Sequence, residues 1–102
     1  MNVLAKPNVM AAAKKTGYQD LMDEALAWYK VAVSQRWEGL QDVREQFRSA
    51  DLVGECLVFN LRNNRYRLVC KVSFASHSIF FKHLLTHKEY TRNAWKKDCK
   101  CN

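Results

Sequence analysis

Arg65-Tyr66-Arg67-Leu68-Val69-Cys70-Lys71-Val72-Ser73-Phe74 is the stretch that decides the fold. Tyr66, Leu68, Cys70, Val72 and Phe74 form one alternating set, and Arg65, Arg67, Val69, Lys71 and Ser73 the other. Successive strand side chains point to opposite faces, so the run reads as a strand with an apolar core face and a mostly basic outer face. Upstream, Cys56-Leu57-Val58-Phe59-Asn60-Leu61 reads as a partner strand. Asn63-Asn64 supplies the turn, because Asn tolerates positive φ. Downstream, Ala75-Ser76-His77 reads as the next turn. Ser78 to Leu85 reads as a third strand, with Phe80, Lys82 and Leu84 alternating against Ile79, Phe81, His83 and Leu85.

The period changes towards the N-terminus. Residues 2–6 read as a short edge strand. Pro7 suits the first turn of a helix, Ala11-Ala12-Ala13 favour its continuation, and Gly17 stops it. Asp20 is placed to cap a second helix. Leu21, Ala25, Trp28 and Ala32 recur at helical spacing there, as do Met22, Leu26, Tyr29 and Val33. So wide an apolar stripe fits a helix lying on a sheet. Gly39 breaks the chain, Leu40, Val43 and Phe47 mark a short helix face, and Ser49-Ala50-Asp51 reads as a turn. Near the C-terminus Thr86 and Glu89 match a capping box, which starts a short helix at His87. Helices followed by a strand meander mean α+β, with N-terminal helices packed on a small antiparallel sheet and a short C-terminal helix.

Composition narrows the function. A chain of 102 residues suits one domain, 1–102, with residues 96–102 expected to be a poorly ordered tail. Hydrophobic residues make up 48%, enough for a packed core. The net charge of +7 is uneven. Residues 1–49 hold seven Lys/Arg against six Asp/Glu, whereas residues 50–102 hold ten against four. A positive field confined to one half points to a polyanionic partner, most often nucleic acid. The alternative is a basic surface that serves solubility alone. No signal peptide and no membrane-length apolar run is visible, so a cytoplasmic protein is expected. Its cysteines should then be reduced thiols. Cys56 and Cys70 read as core residues, and Cys99 and Cys101 as part of the polar tail. One Cys-x-Cys does not make a zinc site, and no metal or other cofactor is expected.

The same residues match the needs of metal-independent RNA cleavage. The ribose 2′-hydroxyl must lose a proton, the departing 5′-oxygen must gain one, and fixed donors must meet the charge on phosphate. An imidazole suits the proton transfers, Arg and Lys suit the phosphate, and a tyrosine can move a proton or stack on a base. Arg65, Arg67 and Lys71 share a strand face, and Lys82 lies on the next strand. His87 and Tyr90 are three apart on one side of the short helix, with Lys88 and Arg92 along another edge. His77 and His83 read as a turn residue and a packed residue.

Residues 25–95 resemble the HigB family of bacterial toxins, within the RelE-like group. The resemblance rests on Ala27-Trp28-Tyr29-Lys30, Ser49-Ala50-Asp51-Leu52-Val53-Gly54, Val58-Phe59-Asn60, Asn64-Arg65-Tyr66-Arg67-Leu68 and Thr86-His87-Lys88-Glu89-Tyr90, in that order. It implies a RelE-like α+β toxin and endoribonuclease (mRNA interferase) activity on mRNA at the ribosome. It also implies a HigA-type helix-turn-helix antitoxin, through which alone the toxin meets DNA. Carried over, the catalytic positions are Arg67, Lys82, His87 and Tyr90. Arg65, Lys71, Lys88 and Arg92 are implied RNA contacts. Four positions depart from the family pattern. Thr91 stands where Asp often follows the Tyr, Lys82 replaces a frequent Arg, Leu85 a frequent Gly, and His83 an apolar residue. The competing reading of the same charges is a non-catalytic module that binds RNA or a partner.

Overall fold

The period-two run is the centre of a five-stranded sheet. The computed structural model describes residues 1–100. In chain order the elements are β1 (Asn2–Leu4), α1 (Lys6–Lys15), α2 (Gln19–Ser34), α3 (Leu40–Gln46), β2 (Asp51–Val53), β3 (Cys56–Leu61), β4 (Tyr66–Ser73), β5 (Ser78–Thr86) and α4 (His87–Thr91). A 3-10 helix, Ala94–Cys99, follows. The strand order is β1-β5-β4-β3-β2. Strands β2 to β5 are antiparallel neighbours, whereas β1 runs parallel to β5, pairing Asn2 with Ser78 and Leu4 with Phe80. The sheet is therefore mixed, because the chain returns from β1 through helices rather than through a hairpin.

Most elements form where their local chemistry places them. Pro7 lies in the first turn of α1, and Gly17 ends the segment at φ 78°. Tyr18, not Asp20, caps α2; Asp20 sits in the first turn, where its charge favours the helix dipole. Leu21, Ala25, Trp28 and Ala32 are the buried stripe of α2, and Val43 is the buried residue of α3. With Val9, Ala13 and Trp37 they pack on Leu57, Phe59, Leu61, Leu68, Cys70 and Ile79 from the sheet. Phe59 lies at the centre, with Trp28, Trp37 and Phe47 rings 5.2–6.2 Å away. Burial holds the Cys70 thiol well above its ordinary range.

Besides the parallel β1–β5 pair in a sheet expected to be antiparallel and the displaced cap of α2, four expectations are corrected. First, Asp51 is not the end of a turn but the start of β2, which pairs with β3 through Asp51↔Val58 and Val53↔Cys56. The Gly54 backbone, at φ 58°, turns this hairpin.

Second, the alternation of β5 slips. Val69 pairs with His83 and Cys70 with Phe81, so Lys82 is an extra, unpaired residue at a bulge. Phe80, opposite Lys71, therefore does not share a face with Leu84, opposite Leu68.

Third, the face of the sheet away from α1 to α3 is not simply basic. Cys56, Val58 and Val69 form a second apolar cluster there, covered by Trp95 and Cys99 and edged by Val53, Leu85 and Tyr90.

Fourth, the stretch after Trp95 is held down as far as it is described. Trp95 and Cys99 are buried in the 3-10 helix, and Cys99 forms a disulfide with Cys56, with 5.2 Å between the Cα atoms. These two cysteines are not reduced thiols. The apolar patch left open by β3 and β4 draws the segment back. Residues 101–102, including Cys101, lie outside the described residues.

Candidate functional site

Arg67 comes to the second face through β4 and is held by the turn before it. Arg62, Asn63 and Asn64 all have positive φ, 51°, 52° and 71°. The backbone N–H of Arg62 donates to the Glu24 carboxylate at 3.1 and 3.3 Å, and its guanidinium lies 3.6 Å from Asp20. Helix α2 thus supplies the acids that hold this unusual turn. The turn in turn presents the Asn64 carbonyl, which accepts from Arg67 Nη1 at 2.6 Å. One guanidinium donor is tied, and the other N–H groups remain for a planar anion.

Tyr90 arrives from α4. Thr86 Oγ1 accepts from the Glu89 N–H at 3.2 Å, and the Glu89 carboxylate accepts from the Thr86 N–H at 2.9 Å. The capping box anticipated from the sequence is thus complete. The Arg67 guanidinium lies 5.0 Å from the Tyr90 ring centroid, and Tyr90 stacks on Trp95 at 4.9 Å and 15°. The Trp95 indole N–H donates to the Tyr90 carbonyl at 2.9 Å. Burial pushes the Tyr90 phenol above its ordinary range; Arg67 opposes the shift and Asp51 adds to it. The phenol therefore keeps its proton at neutral pH.

The other proposed residues are spread around this stack. Lys82 projects from the bulge with its ammonium 4.9 Å from the Phe80 ring. His87 is exposed at the start of α4; its backbone N–H donates to the Arg65 carbonyl at 2.9 Å, and its ring has no hydrogen-bond partner among the described residues. Arg65 lines a separate cleft of about 350 Å³ with Tyr18, Asp20, Arg62, Tyr66 and Thr86. Lys71 is 3.6 Å from Glu55, which also meets Lys100 at 3.6 Å, so part of its charge is already neutralised. Lys88 and Arg92 are exposed on and just beyond α4. The structure thus joins Arg67 to Tyr90 directly, leaves His87 at the rim, and puts Arg65 elsewhere.

Two features were not anticipated. Trp95 backs the tyrosine, and the only sequence signal for it is a tryptophan in an otherwise basic, polar tail. His83 pairs with Asp98, Nε2 to Oδ2, at 2.7 Å, a contact that depends on the bulge and the returning 3-10 helix together. Among the described residues no three His, Cys, Asp or Glu side chains gather as possible metal ligands.

A family model for HigB toxin, the RelE-like toxic component of a toxin-antitoxin system, matches residues 22–93. The chain belongs to the HigB toxin family. No curated protein matches it. The HigB match spans the chain from α2 through α4 and takes in Arg67, Lys82, His87 and Tyr90. It stops before Trp95 and the 3-10 helix, so the support behind Tyr90 lies beyond the matched segment. As a HigB toxin, the protein is the toxic half of a pair and has an antitoxin partner. The RelE-like fold expected from the sequence agrees with the helices and mixed sheet. No helix among the described residues is long and apolar enough to cross a membrane.

Proposed function

We propose that this toxin is a metal-independent endoribonuclease that cuts mRNA on the ribosome and is neutralised by a HigA-type helix-turn-helix antitoxin. The observation that carries the reading is the Arg67–Tyr90–Trp95 stack on the more basic half of the chain. A stacked guanidinium is already ordered for a phosphate, and a tyrosine kept protonated beside it is an acid at the same phosphorus. In this scheme an imidazole, His87 on the family resemblance alone, takes the 2′-hydroxyl proton and the 2′-oxygen attacks phosphorus. The bond to the 5′-oxygen breaks, and Tyr90 protonates that oxygen. Arg67 and Lys82 meet the charge on the phosphate oxygens. Arg65, Lys71, Lys88 and Arg92 hold neighbouring phosphates, with Lys71 weakened by Glu55. Each proton and charge has a protein group, so cleavage should survive EDTA.

The substrate sets the place of action as the cytoplasm, a reducing compartment in which the Cys56–Cys99 link would open and leave the Trp95 cover to packing alone. The antitoxin should cover the basic face with an acidic or extended segment, and DNA is met only through that complex. A second reading, a basic domain that binds RNA or a partner without cutting it, draws support from the unoriented ring of His87. Primer extension on a defined mRNA, with purified protein and with or without ribosomes, separates the two. Discrete breaks only on translated message are expected. Folded protein that yields no breaks in either reaction would leave the binding reading standing.

A further inference from the structure

The imidazole best prepared for proton transfer is not His87. His83 lies on β5 next to the bulge, in the pair with Asp98 of the 3-10 helix. An ionised carboxylate only accepts hydrogen bonds, so Nε2 carries the proton and Nδ1 is left as the basic nitrogen. Asp98 is ionised, held below the usual carboxylate range first by the hydrogen bond from His83 and also by the charges of Lys97 and Lys82. Both side chains are partly exposed, at 30% and 38%. They border an open pocket of about 310 Å³ that also includes Arg92, Lys97, Trp95 and Leu85. The pocket sets Arg92 and Lys97 against the Glu89 and Asp98 carboxylates, so a phosphate would be met on the Arg92 and Lys97 side, and Leu85, Ala94 and Trp95 give apolar surface to a sugar or base. Trp95 is shared: it stacks on Tyr90, so the pocket adjoins the Arg67–Tyr90 stack.

We propose that this pocket seats a nucleotide of the substrate RNA, with His83 as the proton-transfer group and Asp98 as its positioning residue. The catalytic half rests on the ribonuclease reading above. In the step, His83 Nδ1 removes the 2′-hydroxyl proton, the 2′-oxygen bonds to phosphorus, and the bond to the 5′-oxygen breaks. That oxygen takes a proton from Tyr90. The products are a 2′,3′-cyclic phosphate and a 5′-hydroxyl, and the imidazolium returns its proton to solvent. Asp98 keeps the ring in one tautomer and stabilises the imidazolium. Against that, Lys82 on the same strand, Lys97 beside Asp98, and Arg92 in the pocket oppose a positive ring. Glu89, also on the pocket wall, favours it, and the β4 residue opposite, Val69, is apolar.

Two measurements test this. Uridine 3′-monophosphate is titrated into the intact protein while the His83 ring and the Trp95 indole N–H are followed by NMR. Both should shift together and saturate; in His83→Gln binding should weaken at least fivefold. Unmoved His83 and Trp95 signals would overturn the pocket. In the cleavage assay, His83→Gln should lose at least tenfold in rate and flatten the acidic limb of the pH profile. Asp98→Asn should lower kcat with KM unchanged, and Asp98→Glu should recover part of the loss; a purely structural contact would leave both constants in place. Circular dichroism confirms that the variants fold. Unchanged rate and pH profile in His83→Gln would return the proton transfer to His87. If the wild-type protein cuts no RNA, the ribonuclease reading falls together with the catalytic half, and the nucleotide titration decides the pocket by itself.

Discussion

The tryptophans on the two sides of the sheet are treated differently. On the helical side, Trp28 and Trp37 are fully buried, and neither indole N–H has a hydrogen-bond partner among the described residues. Each unpaired group costs about 1–3 kcal/mol, a penalty that only a large apolar core offsets. On the other side Trp95 sits in a cluster of five buried residues, and its N–H is bonded to the Tyr90 carbonyl. That cluster is edged by Val53, Leu85 and Tyr90; Arg67 lies over Tyr90, and the His83–Asp98 pair shares an open pocket with Leu85 and Trp95. One face supplies the stability and the other supplies an ordered set of charges at an open surface. The two should therefore respond to mutation in different currencies.

The largest expected effect belongs to the helical face. Trp28→Ala should cost about 3–5 kcal/mol by emptying the space beside Phe59. Urea unfolding measures it. RNA cleavage per folded molecule should stay within about twofold, a difference too small to signal a lost transition-state contact. A tenfold fall in that quantity would mean the two faces are not separable.

Arg67→Ala should show the reverse. Loss of a fixed cation at the phosphate predicts a fall in cleavage of about 10²–10³. Its stacking on Tyr90, at a half-buried site, contributes about 0.5–1 kcal/mol to stability. Arg67→Lys should recover only part of the rate, because an ammonium lacks the planar fork. Wild-type cleavage by Arg67→Ala would remove Arg67 from the site altogether.

This division also explains how much could be read from the sequence. The buried stripe of α2, the alternation of β3 and β4 and the capping box at Thr86 all follow from neighbours within a few residues. Arg67 and Tyr90 are singled out by a strand face, a capped helix and the HigB resemblance, and the structure puts the two side chains in contact. Strand β2 was not, because Asp51, Leu52 and Val53 are too few to show a period and owe their conformation to β3. The position of Lys82 depends on a register slip that no alternation announces. The cover of the second face lies about 25 to 45 residues away in sequence from the β4 and β3 residues it protects. Trp95, Asp98 and Cys99 in a run of lysines look like a solvated tail until that uncovered patch is known. The His83–Asp98 pair needed both the slip and the return of the chain.

The disulfide offers a test of that return. It closes a separation of 43 residues between Cys56 and Cys99. Removing such a link is worth about 2–4 kcal/mol. Thermal melts of the wild-type protein with and without reductant, and of Cys99→Ser, should show the reduced and mutant forms lowered alike. Hydrogen exchange at the Trp95 indole N–H should accelerate in both, while the α2 amides follow only the global change. Equal acceleration everywhere would mean that the 3-10 helix is not an independently opening cover.

The smallest effect concerns the support of Tyr90. The Glu89 carboxyl is held below its ordinary range, mainly by the hydrogen bond from the Thr86 backbone. A depressed folded-state value means that the carboxylate stabilises the fold above its unfolded pKa of about 4.3. That contribution disappears as the pH falls through the folded value. The side chain is exposed, so solvent screening limits its effect, and loss of the cap should cost about 0.5–1 kcal/mol. Glu89→Ala should show this deficit at pH 6–7 and converge on the wild-type protein as the pH falls through the depressed folded value, where the wild-type carboxylate is itself neutralised. Glu89→Gln keeps an acceptor for the Thr86 N–H without a titrating charge, so it should retain most of the cap and lose the acid dependence. Because α4 carries both His87 and Tyr90, fraying it should lower cleavage about two- to fivefold at neutral pH. Denaturant midpoints measured across pH 3–7 for the three proteins decide it. A Glu89→Ala deficit that stays constant down to pH 3 would mean that packing, not the capping carboxylate, holds α4 against the sheet.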